Sequence, residues 1–433
     1  MPNEPVVSEA ALPGVPRQAA MRFIMLTVLI DMVSIGLIIP VLPVLVGTFT
    51  GGSQSDQALW TGAVGFAFGI ANFFGSPIIG ALSDQYGRRP VLLVGFCGLA
   101  LSFFVTAVAT ALWMLIVVRL FSGAMQSNIA VANAYVADIS EPELRAKRFG
   151  MLGAMFGLGF ILGPSMGGLL GHFSLHLPFF VAGGLALVNL LYGYFVLPES
   201  LPKSRRKPFR WAAANPITSL SALTQLRGVG KLVAVVACAG LAQFVLHTCW
   251  VLYTTFKFGW GPMENGLSLF AVGVSSALVQ GLLLGKLLKR FGAKRLALIG
   301  LASSTLSYFA FGAVTEGWMM YAVIICGLLS STAAAAIQSL ISGAADASSQ
   351  GKTMGAVSSV NSMAAVLAPL IGAPLLSMVS EMPKGDWRLG APFYFCAALQ
   401  LCALLLAWTH FRKQRRARLD LPSASAHGDG ATI

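Results

Sequence analysis

The chain predicts an all-α membrane protein of twelve transmembrane helices arranged as two parallel six-helix repeats. Three observations carry that prediction. Hydrophobic residues make up 56% of the 433 positions and charged ones only 10%, a balance too apolar for an ordinary soluble domain. Apolar runs of roughly 20 residues, the length that spans a bilayer, recur along the whole chain. And the segment GALSDQYGRRP, Gly80 to Pro90, returns as GKLLKRFGAKR, Gly285 to Arg295. The shift from Gly80 to Gly285 is 205 residues, and it also carries Gly163, Pro164 and Gly167 onto Ala368, Pro369 and Gly372. One constant offset in one chain direction relates parallel halves about an axis along the membrane normal, with the substrate path between them.

The spans fall in order near 22–46, 57–83, 90–110, 113–137, 149–171 and 178–197 in the first half. The second half follows with 231–256, 264–289, 294–313, 318–343, 353–378 and 391–411. Glycine and proline inside these runs argue little against helix, because small residues let membrane helices pack closely and neighbours satisfy freed backbone groups. The runs do not alternate as barrel strands do. The first is long, lacks a small-residue cleavage pattern and opens a series of spans, so it is read as helix and not as a signal peptide. The expected units are a six-helix half over 1–197, a linker over 198–230, a six-helix half over 231–411 and a tail over 412–433. Lys203, Arg205, Arg206, Lys207 and Arg210 make the linker basic. The tail turns small and polar through Ser423, Ser425 and Gly428, a composition that predicts disorder at its end.

A net charge of +13 suggests nucleic acid only until the cations are placed. They gather in short loops beside apolar spans, not on one face. With both termini in the cytoplasm, every Lys and Arg lies on the cytoplasmic side except Arg119, Lys257, Lys384 and Arg388, as the positive-inside rule demands. The six cysteines, Cys97, Cys238, Cys249, Cys326, Cys396 and Cys402, fall within spans without paired or metal-ligand spacing, so neither disulfides nor a metal site is expected. No GxxxxGK[ST] motif marks an ATP site, and no cofactor is expected.

In the loop between the second and third spans, Gly80 permits close helix approach, Gly87 permits a tight turn, and Asp84 can pair with Arg88 or Arg89 where the membrane ends. GALSDQYGRRP thereby resembles the signature loop of the major facilitator superfamily. The resemblance implies a cytoplasmic gate in which Asp138, at the end of the fourth span, joins Asp84, Arg88 and Arg89. An ordinary topology-setting loop would need only the positive charge. The second copy places Lys289 where the first has Asp84, so gating is expected to be asymmetric. In the fifth span, GLGFILGPSMGG resembles the glycine-proline motif of twelve-helix drug/proton antiporters, which implies export. Its physical content is a kinkable face: Pro164 removes a backbone hydrogen bond, while Gly159, Gly163, Gly167 and Gly168 allow close packing on a facing helix.

Two ionisable residues sit deep in apolar runs, Asp31 in the first span and Arg119 in the fourth, each costing about 2.5–3.5 kcal/mol to insert. They match the acidic and basic residues of the family's first-helix and fourth-helix motifs, and the resemblance implies proton coupling through them. At about 1.5 Å per residue they differ in depth by roughly 8 Å across a core of about 30 Å. A direct pair then needs tilt or a bridging water. A fixed structural pair is the competing reading. Asn72, Gln126, Asn128, Asn133, Gln243, His247, Gln280, Gln338 and Asn361 are further polar residues at membrane depth, expected to line the cavity or bridge helices. Phe66, Phe156, Trp250 and Tyr253 are candidates to stack a planar cargo, or else lipid-facing bulk.

From Asp31 through the twelfth span the chain resembles the tetracycline efflux branch of these antiporters, with PFFVAGGLALVN and WVLYTTFKFGW among the matching stretches; Gln338 matches a cavity glutamine of that branch. Where the branch carries further membrane charges in helices 3, 8 and 9, this sequence has Ser102, Ser276 and Ser304. The expectation is a proton-driven exporter of a small amphiphile, tetracycline or a related planar compound, in a bacterial inner membrane. A metabolite or siderophore transporter of the same fold is the alternative. The expected partners are the cargo, protons and the lipid bilayer, with neither nucleic acid nor an obligate protein partner. An enzyme is not expected, because no nucleophile constellation has supporting spacing.

Overall fold

The computed structural model describes residues 17–126, 128–209, 211, 230–344 and 350–419. Most of the expected linker, 210 and 212–229, and the end of the expected tail, from 420, lie outside them. All regular structure among the described residues is helical.

Ten helices are long and apolar enough to cross a membrane, and a bent pair, Gly317–Cys326 with Leu328–Ser342 at 56°, makes an eleventh. One of the ten, Pro262–Ala313, is 52 residues long. At about 1.5 Å per residue it would reach about 78 Å, more than twice a hydrocarbon core. It is instead broken at Gly292, whose φ is 73°, and so supplies the eighth and ninth spans. Counted so, the described residues are consistent with the twelve spans expected from the sequence.

Several helices outrun their predicted bounds. The second span runs Gln54–Tyr86 and the fifth Pro142–Phe173, because hydropathy detects only the lipid-embedded part while the helix continues on polar turns. Others are broken where a single run was expected. The first span divides into Arg17–Ile38 and Leu42–Gly47 around Pro40 and Pro43, whose rings cannot continue the hydrogen-bond ladder. The fourth is described over Leu112–Met125 and Asn128–Ile139, and the eighth carries a π-turn over Val279–Leu283.

The duplication is visible in the backbone. Gly87, closing the second span, has φ 107° and ψ 159°; Gly292, 205 residues later, has φ 73° and ψ 158°. Only glycine enters that region without strain. A Cβ at Gly87 would also meet Glu199 and Arg206.

The two sets of spans meet along two symmetry-related seams, the second span against the eleventh and the fifth against the eighth. Gly62, Gly65 and Gly69 pack on Ala373, Pro369 and Val366, while Gly168 and Gly171 pack on Gly266 and Pro262. Ser55 and Ser377 share a 2.7 Å hydrogen bond at the far end of the first seam. These contacts all lie at the end away from the repeated loops. At the loop end, Gly80, Gly150, Gly153, Gly157, Gly281, Gly285 and Gly355 meet no neighbour within 4 Å among the described residues. The molecule is therefore shut at one end and open at the end that carries the basic loops.

Candidate functional site

Between the first, fifth, seventh and eighth spans lies a cavity of about 1050 Å³, walled by Met32, Gly36, Phe156, Phe160, Gln243, His247, Ser276 and Gln280 among others. It has this width because the glycine-rich turns of the fifth and eighth spans leave their open-end faces without side chains. Two smaller cavities of about 310 and 300 Å³ extend it into the second half. Gln243 lines all three. Its amide meets the His247 ring nitrogen at 2.9 Å, and Tyr308 donates its hydroxyl to Gln243 Oε1. Trp250, 3% exposed, donates Nε1 to Ser268 Oγ at 3.0 Å and turns its ring to the cavity of Ser304 and Tyr308. Gln338 and Asn361 line the third cavity beside Gln400. Among the described residues, no Asp, Glu, Lys or Arg lines these three cavities; His247 and Tyr308 are their titratable groups.

Two of the expected cavity residues, Gln126 and Asn128, and two of the candidate stacking rings, Tyr253 and Phe66, do not line these cavities. Gln126 caps the end of Leu112–Met125, outside these cavities. Asn128 is buried in a separate small pocket with Asp31. Tyr253 is fully buried in an aromatic core, its ring centroid 4.4 Å from that of Phe393 and its hydroxyl donated to the Phe311 carbonyl, so it cannot stack a cargo. Phe66 is half-buried on the second span. Of the three serines, Ser276 and Ser304 line cavity walls while Ser102 is buried in the first half, bonded to the Leu99 carbonyl.

Asp31 is 4% exposed and Arg119 7%. The described ion pairs do not include the two together. Asp31 has Asn128 as its polar neighbour, and Arg119 lies nine residues before Asn128 on the fourth span, about 13 Å of helix rise away. Nε and Nη2 of Arg119 have no partner among the described groups. The pairing allowed by depth in the sequence is thus not among the described ion pairs: the carboxylate lies beside Asn128, nine residues along the fourth span from the guanidinium.

The glycines of the fifth span serve two faces. Gly159, Gly163 and Gly167 pack against Met32, Gly36 and Leu37 of the first span, and Gly168 turns to Gly266 of the eighth. A Cβ at Gly163 would stand 2.5 Å from the Gly36 Cα. Pro164 is carried inside the helix. The span is held on one side within its own half and on the other at the seam.

At the open end the arginines and acids of the first loop assemble. Arg88 bonds Asp84 through Nη2 at 2.6 Å, Asp138 through Nε at 3.0 Å and Ser83 through Nη1 at 2.6 Å. Sequence reasoning missed Glu199, which accepts the Arg88 backbone N–H at 2.9 Å and faces Arg206 at 3.7 Å. Lys207 donates its backbone N–H to the Asp84 carbonyl. Arg89 reaches the Tyr194 carbonyl. The early linker is therefore docked onto the loop, and every described partner of this network belongs to residues 83–207.

Among the described residues no cluster of three or more His, Cys, Asp or Glu could hold a metal, and the six cysteines are free. Spans in two repeats around a one-ended central cavity are the architecture of a membrane transporter. The profile of the Major Facilitator Superfamily matches residues 24–281 and 232–429, and the chain belongs to that family. It is 35% identical over 377 residues to the class C tetracycline resistance protein of Escherichia coli, covering 87% of this chain and 94% of that one. It is 34% identical over 378 residues to the class D protein of Salmonella ordonez, with the same coverage. Among solved structures, the nucleoside transporter NupG superposes with a TM-score of 0.73 at 14% identity, covering 91% of this chain and 99% of that one, which supports the fold.

Proposed function

We propose that this chain exports a small amphiphile in exchange for protons by alternating access, tetracycline or a related planar compound being the leading cargo. The observation that carries the reading is the one-ended cavity: an apolar, amide- and hydroxyl-bearing chamber of about 1050 Å³, large enough for a drug-sized molecule, open at the basic end. Positive-inside placement makes that end cytoplasmic, so cargo enters from the cell. The similarity to tetracycline resistance proteins supports the direction and the cargo class. Phe156, Phe160 and Trp250 offer ring faces, and Gln243, His247 and Gln280 fix orientation.

In this mechanism the six-helix halves rock about the two seams. Smooth contacts at Gly163–Gly36 and Gly168–Gly266 let the fifth span move without side chains to unlock. The Arg88 network holds the first loop as one rigid piece that closes the open end, while Asp31 carries the proton. Protonation removes a buried charge, which costs far less to move through an apolar passage than the carboxylate does.

The test is tetracycline uptake into everted vesicles with an imposed proton gradient. One pH unit is worth about 1.4 kcal/mol per proton, or about tenfold accumulation per proton exchanged. The wild type is expected to accumulate cargo and dissipate the gradient, and Asp31→Asn to equilibrate without accumulation. Gradient-driven accumulation by Asp31→Asn sinks the coupling role. No uptake by the inserted wild type removes tetracycline and points to the metabolite or siderophore alternative, which counterflow with labelled compounds would identify.

A further inference from the structure

Asp31 does not open into the transport cavity. It lies in a separate pocket of about 10 Å³ between the first, third, fourth and fifth spans, close to the smallest volume that holds one water molecule. The wall is apolar, with Ile24, Val28, Leu92 and Phe96, except for Thr27, Asp31 and Asn128. These three are 1%, 4% and 3% exposed. Thr27 Oγ1 and both side-chain polar atoms of Asn128 lack a hydrogen-bond partner of good geometry among the described groups. This is unusual for the span: Ser34, two turns on, satisfies its hydroxyl on the Ile30 carbonyl. Thr27 does not turn back to the helix, and its own carbonyl is taken by Asn189 Nδ2 at 2.9 Å. Gly95 clears the space for Asn128, since a Cβ there would run into its Oδ1. Phe156 lines both this pocket and the large cavity.

We propose that Thr27, Asp31 and Asn128 form a closed proton site that holds one water molecule, with Phe156 as the partition between it and the transport cavity. Buried polar atoms left without protein partners cost about 1–3 kcal/mol each, and one water with two to four partners satisfies all three groups at once. A proton arrives as hydronium, transfers to the Asp31 carboxylate and leaves neutral water behind. A hard metal cation takes about six oxygens, and this wall offers only those of Thr27, Asp31 and Asn128. No other acid or base lines the pocket. On the packed spans, Arg22 is nine residues from Asp31 and Arg119 nine from Asn128, Arg88 is tied to Asp138 at the start of the third span and Arg89 to the Tyr194 carbonyl. Arg148 of the fifth is bonded to the Ile139 carbonyl, Tyr135 of the fourth donates its hydroxyl to the Pro198 carbonyl, and Cys97 and Tyr192 are further titratable groups on these spans. Thr27 and Asn128 are thus positioning residues for the proton on Asp31. The inference deepens the coupling reading of Asp31 and rests on it for its purpose.

Infrared difference titration of the full chain in proteoliposomes tests this without any cargo. The Asp31 carboxylic-acid band is identified as the one lost in Asp31→Asn. Its midpoint is expected to move by about one pH unit in Asn128→Leu, the scale of one hydrogen bond to a charged group, by less in the near-isosteric Thr27→Val, and not at all in Gln338→Leu. Gly95→Ala should act like Asn128→Leu by displacing its amide, which keeps the test readable should one variant fail to insert. Phe156→Ala should speed hydrogen–deuterium exchange of the band about tenfold or more. The proposal is overturned by an unchanged midpoint in both Asn128→Leu and Thr27→Val, or by a wild-type midpoint that moves when sodium chloride replaces choline chloride. Missing tetracycline uptake alongside a band that behaves as expected removes the export reading and leaves this site standing.

Discussion

The two copies of the repeated loop share a backbone and have lost their common chemistry. Gly87 and Gly292 turn the chain with ψ values of 159° and 158°, yet Ala293 and Lys289 stand where the first copy has Arg88 and Asp84. In the first copy Arg88 is tied to Ser83, Asp84 and Asp138. In the second, Lys294 bonds the neutral Gln414 at 2.7 Å and lies over the Phe411 ring at 5.9 Å. The same contrast runs through membrane depth: Asp31 and Arg119 lie in the first half, whereas the cavities of the second are walled by serines and amides. Conformation has outlived charge because a positive φ needs one residue, glycine, while an ionic network needs four side chains in register. On the proposed function, the first half handles the proton and the gate and the second handles cargo.

The largest effect should come from breaking the network itself. Arg88→Ala strands Asp138 and Asp84 beside a half-buried surface, an expected loss of about 2–3 kcal/mol after allowing for the exposure of Asp84. Lys294→Ala should change stability by less than about 0.5 kcal/mol. Thermal denaturation in one mild detergent compares them. Equal losses would erase the asymmetry, and a gain on combining Lys289→Asp with Ala293→Arg would show that the second turn still accepts the first one's chemistry.

A smaller effect concerns the neutral half. Tyr308→Phe removes the donor to Gln243 and should weaken cargo by about fivefold, near 1 kcal/mol. Ser304→Asp places a carboxylate in a wall without one and should weaken an uncharged cargo more. Equilibrium binding to purified protein reads both. Tighter binding to Ser304→Asp would show that the cargo is cationic, against the division drawn here.

Much of this was legible in the sequence for physical reasons. Asp31, Gly87 and the 205-residue offset declare themselves because membrane charge is costly, positive φ favours glycine and duplication preserves spacing. Glu199 was not legible: it follows a proline in what reads as linker, and only the folding back of residues 199–207 brings it to Arg88. Tyr253 stays open in the sequence between a stacking ring and lipid-facing bulk, and its place in the core is seen only in the fold, because hydropathy does not tell a core face from the other faces. Asn128 reads as a cavity residue in the sequence because hydropathy does not tell which face of the fourth span turns to the small pocket that holds Asp31. Two of the four cations on the wrong side of the positive-inside pattern are also explained only in three dimensions. Lys257 is buried, donating to the Gly312 carbonyl at 3.1 Å and to Tyr253 Oη at 3.0 Å, and Arg388 is neutralised by Asp386.

That last pair gives the smallest expected effect. Arg388 donates Nη2 to Asp386 Oδ2 at 2.7 Å, and its backbone N–H donates to Oδ1 at 2.8 Å. The side-chain bond first, and the backbone bond after it, hold the Asp386 carboxyl below its ordinary range. A carboxyl lowered on folding adds stability that is present above its unfolded pKa and fades as pH falls through the folded one, so any contribution belongs to neutral pH and disappears in acid. The pair sits in solvent, where such bridges contribute little. Asp386→Asn should shift the melting temperature at pH 7 by about one degree or less, with the difference shrinking as pH falls below the ordinary carboxylate range. Its measurable consequence is topological instead: freed of its acid, Arg388 becomes an uncompensated positive charge on the side where the first half keeps almost none. Cysteine labelling from each face of the membrane would then detect a fraction of inverted chains only if that compensation matters to insertion.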